Sequence, residues 1–86
     1  MKDACEAILE ELDKILRLNP CDAVMQEVWR IKTLVNTDCS SKALNEVHDE
    51  ALDLRDVEMQ DEVERRLSLI MSIARYEHDV RSPTDK

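Results

Sequence analysis

Apolar residues recur every three or four positions along most of the chain, the spacing that places side chains on one face of an α-helix. Short polar stretches divide this pattern into four segments. The pattern therefore predicts an all-α fold, a small four-helix bundle made of two helical hairpins with a long C-terminal helix. The predicted helices cover residues 3–18, 20–36, 41–54 and 57–80. The side chains expected in the core are Leu12, Ile15, Val28, Ile31, Val47, Leu67 and Ile70.

Cap-forming residues precede the first three segments. Asp3 followed by Glu6 resembles a capping box at the start of the first helix. Pro20 disfavours helical geometry at Asn19 and so ends that helix, while the same pair is suited to be the N-cap and first turn of the next helix. A cluster of cap formers at residues 37–41 separates the second helix from the third.

The boundary between the third and fourth helices has no proline or glycine to mark it. The third helix carries apolar residues at heptad-like spacing up to Leu54, and continuing that spacing would bury Glu58 and Asp61. The apolar pattern must therefore restart further along the chain. We predict a break from Leu54 to Val57, with Asp56 as the N-cap of the last helix. A single bent helix is the alternative.

The last helix carries more apolar residues than one neighbouring surface can cover. One stripe, expected in the core, comprises Val63, Leu67, Ile70, Met71 and Ala74. A second stripe is a candidate homodimer interface and comprises Leu69, Ile73, Tyr76 and Val80. The opposite charges of Arg66 and Glu77 flank the second stripe and would pair across a two-fold axis. The alternative is that helix 1 or helix 2 covers this stripe in a monomer, with Trp29 as filler.

Composition agrees with a single small helical domain. The chain has 86 residues, 37% of them charged, and no glycine, a profile typical of helices with short connections. We expect one domain over residues 1–81 and a disordered polar tail over residues 82–86. The longest uncharged stretch, residues 67–74, is far shorter than the roughly 20 residues of a membrane helix, and no signal-peptide layout opens the chain. The expected location is cytoplasmic, with no membrane partner.

Three widely spaced cysteines do not suggest a disulfide framework or a zinc motif. We expect all three to be free thiols. Cys5 and Cys21 fall on apolar stripes and are expected in the core, whereas Cys39 falls in a loop, where a reactive thiol is the alternative interpretation.

The net charge of −8 is concentrated in one segment. Residues 46–64 contain nine acidic residues against a single base, Arg55, and the remaining 11 acidic and 11 basic residues of the chain cancel. The nine are Glu46, Asp49, Glu50, Asp53, Asp56, Glu58, Asp61, Glu62 and Glu64. These residues either stabilise the helix N-terminus and aid solubility, or they form a patch that attracts a basic protein surface. Direct binding to nucleic acid is not expected, since phosphates would be repelled.

No residue constellation indicates catalysis, a cofactor or a metal. The residues three before His48 and His78 are Asn45 and Arg75, so the Glu-x-x-His motif of di-iron bundles is missing. Without glycine the chain has no phosphate loop, dinucleotide fingerprint or EF-hand loop. We therefore expect no catalytic, cofactor-binding or metal-binding residues and no enzyme activity.

These observations favour a non-enzymatic module that binds a protein partner with a basic surface. By size, acidity and lack of catalytic residues the chain is of the same type as small inhibitors and adaptors, including phage-encoded antagonists of host enzymes, although no motif identifies a family. The nucleic-acid groove of a nucleic-acid-binding protein is one such basic surface. The alternative function is a homodimeric structural or assembly module that uses the second stripe of the last helix.

Overall fold

The computed structural model describes residues 3–81, which form four α-helices and one short 3-10 turn, with no strand in this range. The helices are α1 (Ala4–Arg17), α2 (Asp22–Thr37), α3 (Ser41–Leu52) and α4 (Asp61–Arg81), and the 3-10 turn is Asp53–Asp56. The predicted all-α four-helix bundle is confirmed. The predicted polar tail, residues 82–86, lies outside the described residues.

Each helix packs against the next one along the chain, and α4 packs back against α1 to close the bundle. Two contacts show that α1 and α4 run in opposite directions. Gln60, just before α4, donates a hydrogen bond to the carbonyl of Leu18 at the end of α1, and Arg66 bonds to Glu11 one to two turns earlier in α1. With short connections between successive helices, this arrangement is an up-down-up-down bundle.

The core lies along the axis of the bundle and is built from all four helices. The seven side chains predicted to lie there are all buried, and Leu67, the most exposed of them, is 4% exposed. The inward stripe of α4 is also buried as predicted, except that Met71 is half-buried. Helical periodicity therefore identified the core residues correctly.

Side-chain caps start α1 and α3 at or near the predicted residues. Asp3 Oδ1 accepts a hydrogen bond from the backbone N–H of Glu6 at 2.8 Å, as the capping-box pattern predicts. At the start of α3, Ser40 Oγ accepts from the N–H of Ala43 at 3.2 Å. Both bonds satisfy backbone donors that have no partner within the helix.

The connection between α1 and α2 differs from the prediction. Asn19 has a positive φ of 59° and its N–H donates to the carbonyl of Leu16, so it terminates α1 and is not the N-cap of α2. Asparagine tolerates this left-handed conformation better than most residues, which explains why it fits a helix end. The N-cap of α2 is Cys21, an exposed residue, so its predicted place in the core is also wrong.

The break between α3 and α4 is confirmed, but α4 begins at Asp61, four residues later than predicted. Asp56 ends the 3-10 turn, and the prediction that it caps α4 is wrong. The chain instead runs through Val57, which is extended, and both Val57 and Met59 pack against the core. The carbonyl of Gln60 accepts the first hydrogen bond of α4. Burial of these two apolar side chains therefore delays the start of the helix.

A disulfide bond joins Cys5, in the first turn of α1, to Cys39, in the loop between α2 and α3. Their Cα atoms lie 6.3 Å apart, within the usual range for a disulfide. The prediction of three free thiols is therefore wrong for these two cysteines, and only Cys21 is a free cysteine among residues 3–81. The antiparallel packing of α1 and α2 brings together two residues that are 34 positions apart.

Candidate protein-binding surface

The nine acidic residues of the segment 46–64 do not all face solvent. Seven are exposed, whereas Glu50 and Glu62 are half-buried. Glu50 Oε1 lies 3.8 Å from Arg30 Nη1 of α2, and Glu62 Oε2 lies 2.9 Å from Arg66 Nη2 of α4. Glu62 Oε1 is also 3.4 Å from Nη1 of Arg65. These two carboxylates are partly neutralised by arginines and contribute less to the surface than the other seven.

The seven exposed acids run along α3 and around the turn into α4. In chain order they are Glu46, Asp49, Asp53, Asp56, Glu58, Asp61 and Glu64. Asp49 Oδ1 lies 3.7 Å from Nδ1 of the neighbouring His48. The other six form no ion pair with any residue in 3–81. We call these seven residues the acidic patch.

A groove opens in the middle of this surface, where α3, the 3-10 turn and α4 meet. Its volume is about 260 Å³. Leu67 lies at its base, and Leu52, Met59 and Met71 form its half-buried walls. We call this feature the corner groove. It exposes apolar surface of the core to solvent at the most acidic part of the molecule.

Charged side chains form the rim of the corner groove. Glu64 and Arg55 line the groove itself and also two neighbouring polar depressions. Asp56 lines both depressions, Asp53 lines one and Glu58 the other. Four carboxylates thus face one guanidinium around an apolar opening.

Sequence reasoning found the rim of the corner groove but not the groove. The charge count singled out the acidic residues, whereas Met71 was placed entirely in the core stripe and Met59 was given no role. The predicted helix start at residue 57 placed Met59 inside the helix, whereas residues 57–60 precede it and Met59 lines the groove.

Glu27 of α2 lies against the same group of acids from the other side. Its Oε2 is buried and accepts no hydrogen bond from residues 3–81. Burial, the hydrogen bond with Glu50 and the negative charges of Glu50 and Asp53 raise the pKa of Glu27 to about 7, although Arg30 opposes the shift. A proton on Glu27 supplies the hydrogen that a bond between two carboxyl groups requires. Burial of Glu27 beside Glu50 therefore favours its protonated form.

The second stripe of α4 is mostly exposed. Leu69 is 45% exposed, Tyr76 71% and Val80 51%, whereas Ile73 is half-buried and packs against the core. Trp29, the proposed filler, is 51% exposed on α2, a helix that packs mainly against α1 and α3. Within residues 3–81, three of the four predicted interface side chains therefore remain uncovered.

Arg66, which was expected to flank a dimer interface, is engaged within the chain. Its Nη1 lies 2.7 Å from Glu11 Oε1 of α1. The bond to Glu11 is the largest cause that raises the pKa of Arg66, and Glu62 adds to it. Pairing with a second copy of the chain would require Arg66 to leave these carboxylates.

The described residues offer no other grouping of this kind with evident chemistry. Residues 3–81 contain no group of three or more His, Cys, Asp or Glu side chains placed to hold a metal ion. None of the helices in that range is long and apolar enough to cross a membrane. Two surfaces of residues 3–81 are therefore candidates for binding: the acidic patch with its groove, and the second stripe of α4.

Comparisons of the chain with protein-family models, with curated proteins and with solved structures found no significant match. No family is therefore assigned to it. Its function has to be inferred from the chemistry of its own surface.

Proposed function

We propose that the protein is a non-enzymatic binding module, an inhibitor or adaptor that engages a basic surface of a larger protein partner through the acidic patch. One observation carries this proposal: six exposed carboxylates that form no ion pair with any residue in 3–81 lie in the segment that holds the whole net charge of the chain. Such a surface attracts a positively charged partner and orients it during encounter. The same field repels nucleic acids, although it suits the basic groove of a protein that binds them.

The way the charge is distributed supports binding over solubility alone. A solubilising surface works best when charges of both signs are interspersed. Here the acids follow one another along α3 and the turn, while the bases and acids elsewhere in the chain balance.

Affinity capture with two charge-matched variants tests the role of the patch. In the patch variant, Asp53, Asp56 and Asp61 are changed to Asn. In the control variant, Glu6→Gln, Asp22→Asn and Asp79→Asn remove the same number of exposed charges outside the patch. We expect a partner that is retained by the wild type and the control at about 50 mM salt, and lost by the patch variant or at about 500 mM salt. Equal capture by the patch variant would exclude the proposal.

The exposed stripe of α4 supports a second candidate function, a homodimeric assembly module. Leu69, Tyr76 and Val80 extend over about 17 Å of helix, from the rise of 1.5 Å per residue. Large apolar residues grouped in this way often mark an interface, and two-fold dimers are the commonest oligomers.

Light scattering tests the dimer directly. We expect a species near twice the chain mass of 10.0 kDa at micromolar concentration. Tyr76→Glu should shift it toward the monomer with helicity retained, because Tyr76 is exposed and its side chain does not support the core. Thr33→Glu, an exposed position on α2, is the control. A wild type that is monomeric throughout would rule out this candidate.

A cytoplasmic location stays a prediction, and the disulfide provides a way to test it. Disulfide bonds persist mainly in oxidising compartments, so the bond between Cys5 and Cys39 favours a location outside the reducing cytoplasm. Alkylation of thiols in acid-quenched cells, followed by measurement of the protein mass, distinguishes a reducing from an oxidising location. Three modified cysteines indicate the reduced cytoplasmic form, whereas modification of Cys21 alone indicates the bonded form.

A further inference from the structure

We infer, on the basis of the proposed function, that the corner groove receives an apolar side chain from a basic amphipathic helix of the partner, whose Lys or Arg residues face the acidic rim. The groove lies beside the acidic patch and presents apolar residues that pack in or against the core, Leu67, Met59 and Met71, next to the carboxylate of Glu64. An apolar centre enclosed by a polar rim is the usual arrangement of an energetic centre in a protein interface.

The size of the corner groove matches a side chain better than a small-molecule ligand. Its volume of about 260 Å³ lies below the range of roughly 300–1,000 Å³ that is typical of small-molecule pockets. The groove is also open on one side, at the surface between α3 and α4. An apolar side chain entering from solvent, or two such side chains one helical turn apart, would occupy the groove above Leu67.

The walls of the groove are suited to adjust to an incoming side chain. Met59 and Met71 are both half-buried and pack against the core without being fixed inside it. Methionine is unbranched and polarisable, and it is frequent at surfaces that repack around different ligands. Met59 also precedes α4, in a segment that hydrogen-bonds only at its ends, through Val57 and Gln60.

Charge complementarity specifies the surroundings of the anchor. Asp53, Asp56, Glu58 and Glu64 outnumber Arg55 around the groove, so the rim has a net charge of −3. An amphipathic helix that docks by one apolar face places lysines or arginines on either side of its anchors, at i+3 and i+4 spacing. An anionic or purely apolar segment would either be repelled by the rim or leave the carboxylates without a partner.

A pair of synthetic peptides separates the contribution of the apolar anchor to binding from that of the lysines. Both are helices of about 18 residues, five turns, with the same lysines on an alanine background. One peptide carries two leucines at i and i+4 in its centre, and the other carries glutamines there, which have similar helix propensity. We expect the leucine peptide to bind the wild-type protein at least about tenfold more tightly, from the burial of a leucine side chain.

Methionine variants test whether the tighter binding of the leucine peptide depends on the corner groove. Met59→Gln combined with Met71→Gln should reduce the preference for the leucine peptide to about twofold or less. Met25→Gln is the matched control, because Met25 is a half-buried methionine on α2 outside the groove. The methyl NMR signals of Met59 and Met71 should shift on addition of the leucine peptide, while that of Met25 stays in place.

The outcomes distinguish this inference from the proposed function. Suppose that both peptides bind the wild type equally and that the Asn substitutions at Asp53, Asp56 and Asp61 weaken both. The acidic patch would then remain a binding surface, and the inference that the groove receives an apolar side chain would be overturned. Binding of neither peptide at about 50 mM salt would overturn both. If the double methionine variant still bound the leucine peptide more tightly than the glutamine peptide, the anchor would lie elsewhere and the role of the groove would be overturned. A shift of the Met25 methyl signal on addition of the leucine peptide would lead to the same conclusion.

Discussion

The two ends of the bundle are held together in different ways. At one end the N-terminus of α1 meets the loop between α2 and α3, and the Cys5–Cys39 disulfide and the cap at Ser40 secure them. We call this the stapled end. At the other end, the acidic end, the 3-10 turn and residues 57–60 lead into α4, and a hydrogen bond of 3.3 Å from Gln60 to Leu18 connects this segment to α1.

The contrast lies between an end closed by a covalent bond and an end that carries an open, charged surface. The stapled end is held by a covalent bond that does not depend on the acids of the patch. The acidic end has apolar surface open in a groove and more carboxylates than cations around it, features that contribute little to folding. A small bundle with a modest core can carry such a surface if its stability is provided elsewhere.

Removing the disulfide is expected to have the largest effect. A loop closed between residues 34 apart contributes about 3–4 kcal/mol by the chain-entropy estimate, so Cys39→Ser should lower the free energy of unfolding by that amount. Urea unfolding of the oxidised protein measures it. Cys21→Ser is the control, and it should be neutral or slightly stabilising, because Cys21 is an exposed N-cap without a side-chain hydrogen bond. An equal loss in both variants would show that the disulfide does not staple the bundle.

At the acidic end, Leu67→Ala tests how much the base of the groove contributes to the core. We expect a loss of about 3 kcal/mol in the free energy of unfolding, since Leu67 is 4% exposed and its removal leaves a cavity. Leu69→Ala, two residues along the same helix and 45% exposed, should change it by less than about 0.5 kcal/mol. Urea unfolding of both variants gives the comparison. Similar losses would mean that the stripe of Leu69 belongs to the core as well.

The raised pKa of Glu27 predicts that stability depends on pH at the acidic surface. Its pKa in the folded protein is raised to about 7 from an ordinary value of 4.5, so between these values the folded state holds a proton that the unfolded state has lost. The contribution of Glu27 to stability is therefore greatest below about pH 4.5, falls as the pH rises through 7, and is constant above that.

We expect Glu27→Gln to stabilise the protein at pH 8 by about 1 kcal/mol, a modest value because water screens a side chain that is only half-buried. The gain should shrink toward pH 5. Urea unfolding of variant and wild type at both pH values gives the difference. Glu46→Gln, at an exposed position of α3, is the control variant. A gain independent of pH at position 27 would contradict the raised pKa.

The hydrogen bond from Gln60 to Leu18 should have the smallest effect. Gln60→Ala should lower the free energy of unfolding by about 0.5 kcal/mol, because the bond is exposed and water replaces it readily. Gln26→Ala, at an exposed position on α2, is the control. Hydrogen exchange of the backbone amides of α4 should increase mainly in its first turn. A loss comparable to that of Cys39→Ser would show that the acidic end is as firmly held as the stapled end.

Much of the fold could be predicted because helical periodicity depends on neighbours in sequence. The inward positions of Val28, Ile31 and Ile70 follow from three- and four-residue spacing, and all three are fully buried. The N-caps at Asp3 and Ser40 are likewise local, since each bonds to an N–H three residues away.

The errors arise where distant parts of the chain decide the structure. Asparagine suits both the N-cap of a helix and the left-handed residue that ends one, so the identity of residue 19 alone does not decide between these roles. In the structure Asn19 has the left-handed conformation. The pairing of Cys5 with Cys39 depends on how α1 and α2 pack. The late start of α4 depends on the burial of Val57 and Met59 against the other helices. The corner groove follows from that late start, so charge counting found its rim without its interior.

The disulfide also determines how the chain would respond to a pulling force applied at its two ends. Tension that enters at Cys5 passes through the sulfur atoms to Cys39, 34 positions further along, and bypasses the segment between them. The first helical hairpin would bear no load, while α3, the turn and α4 would extend. The fully stretched oxidised chain would be shorter than the reduced chain by roughly 115 Å, from about 3.4 Å per residue. The acidic patch and its groove lie entirely in the part of the chain that yields.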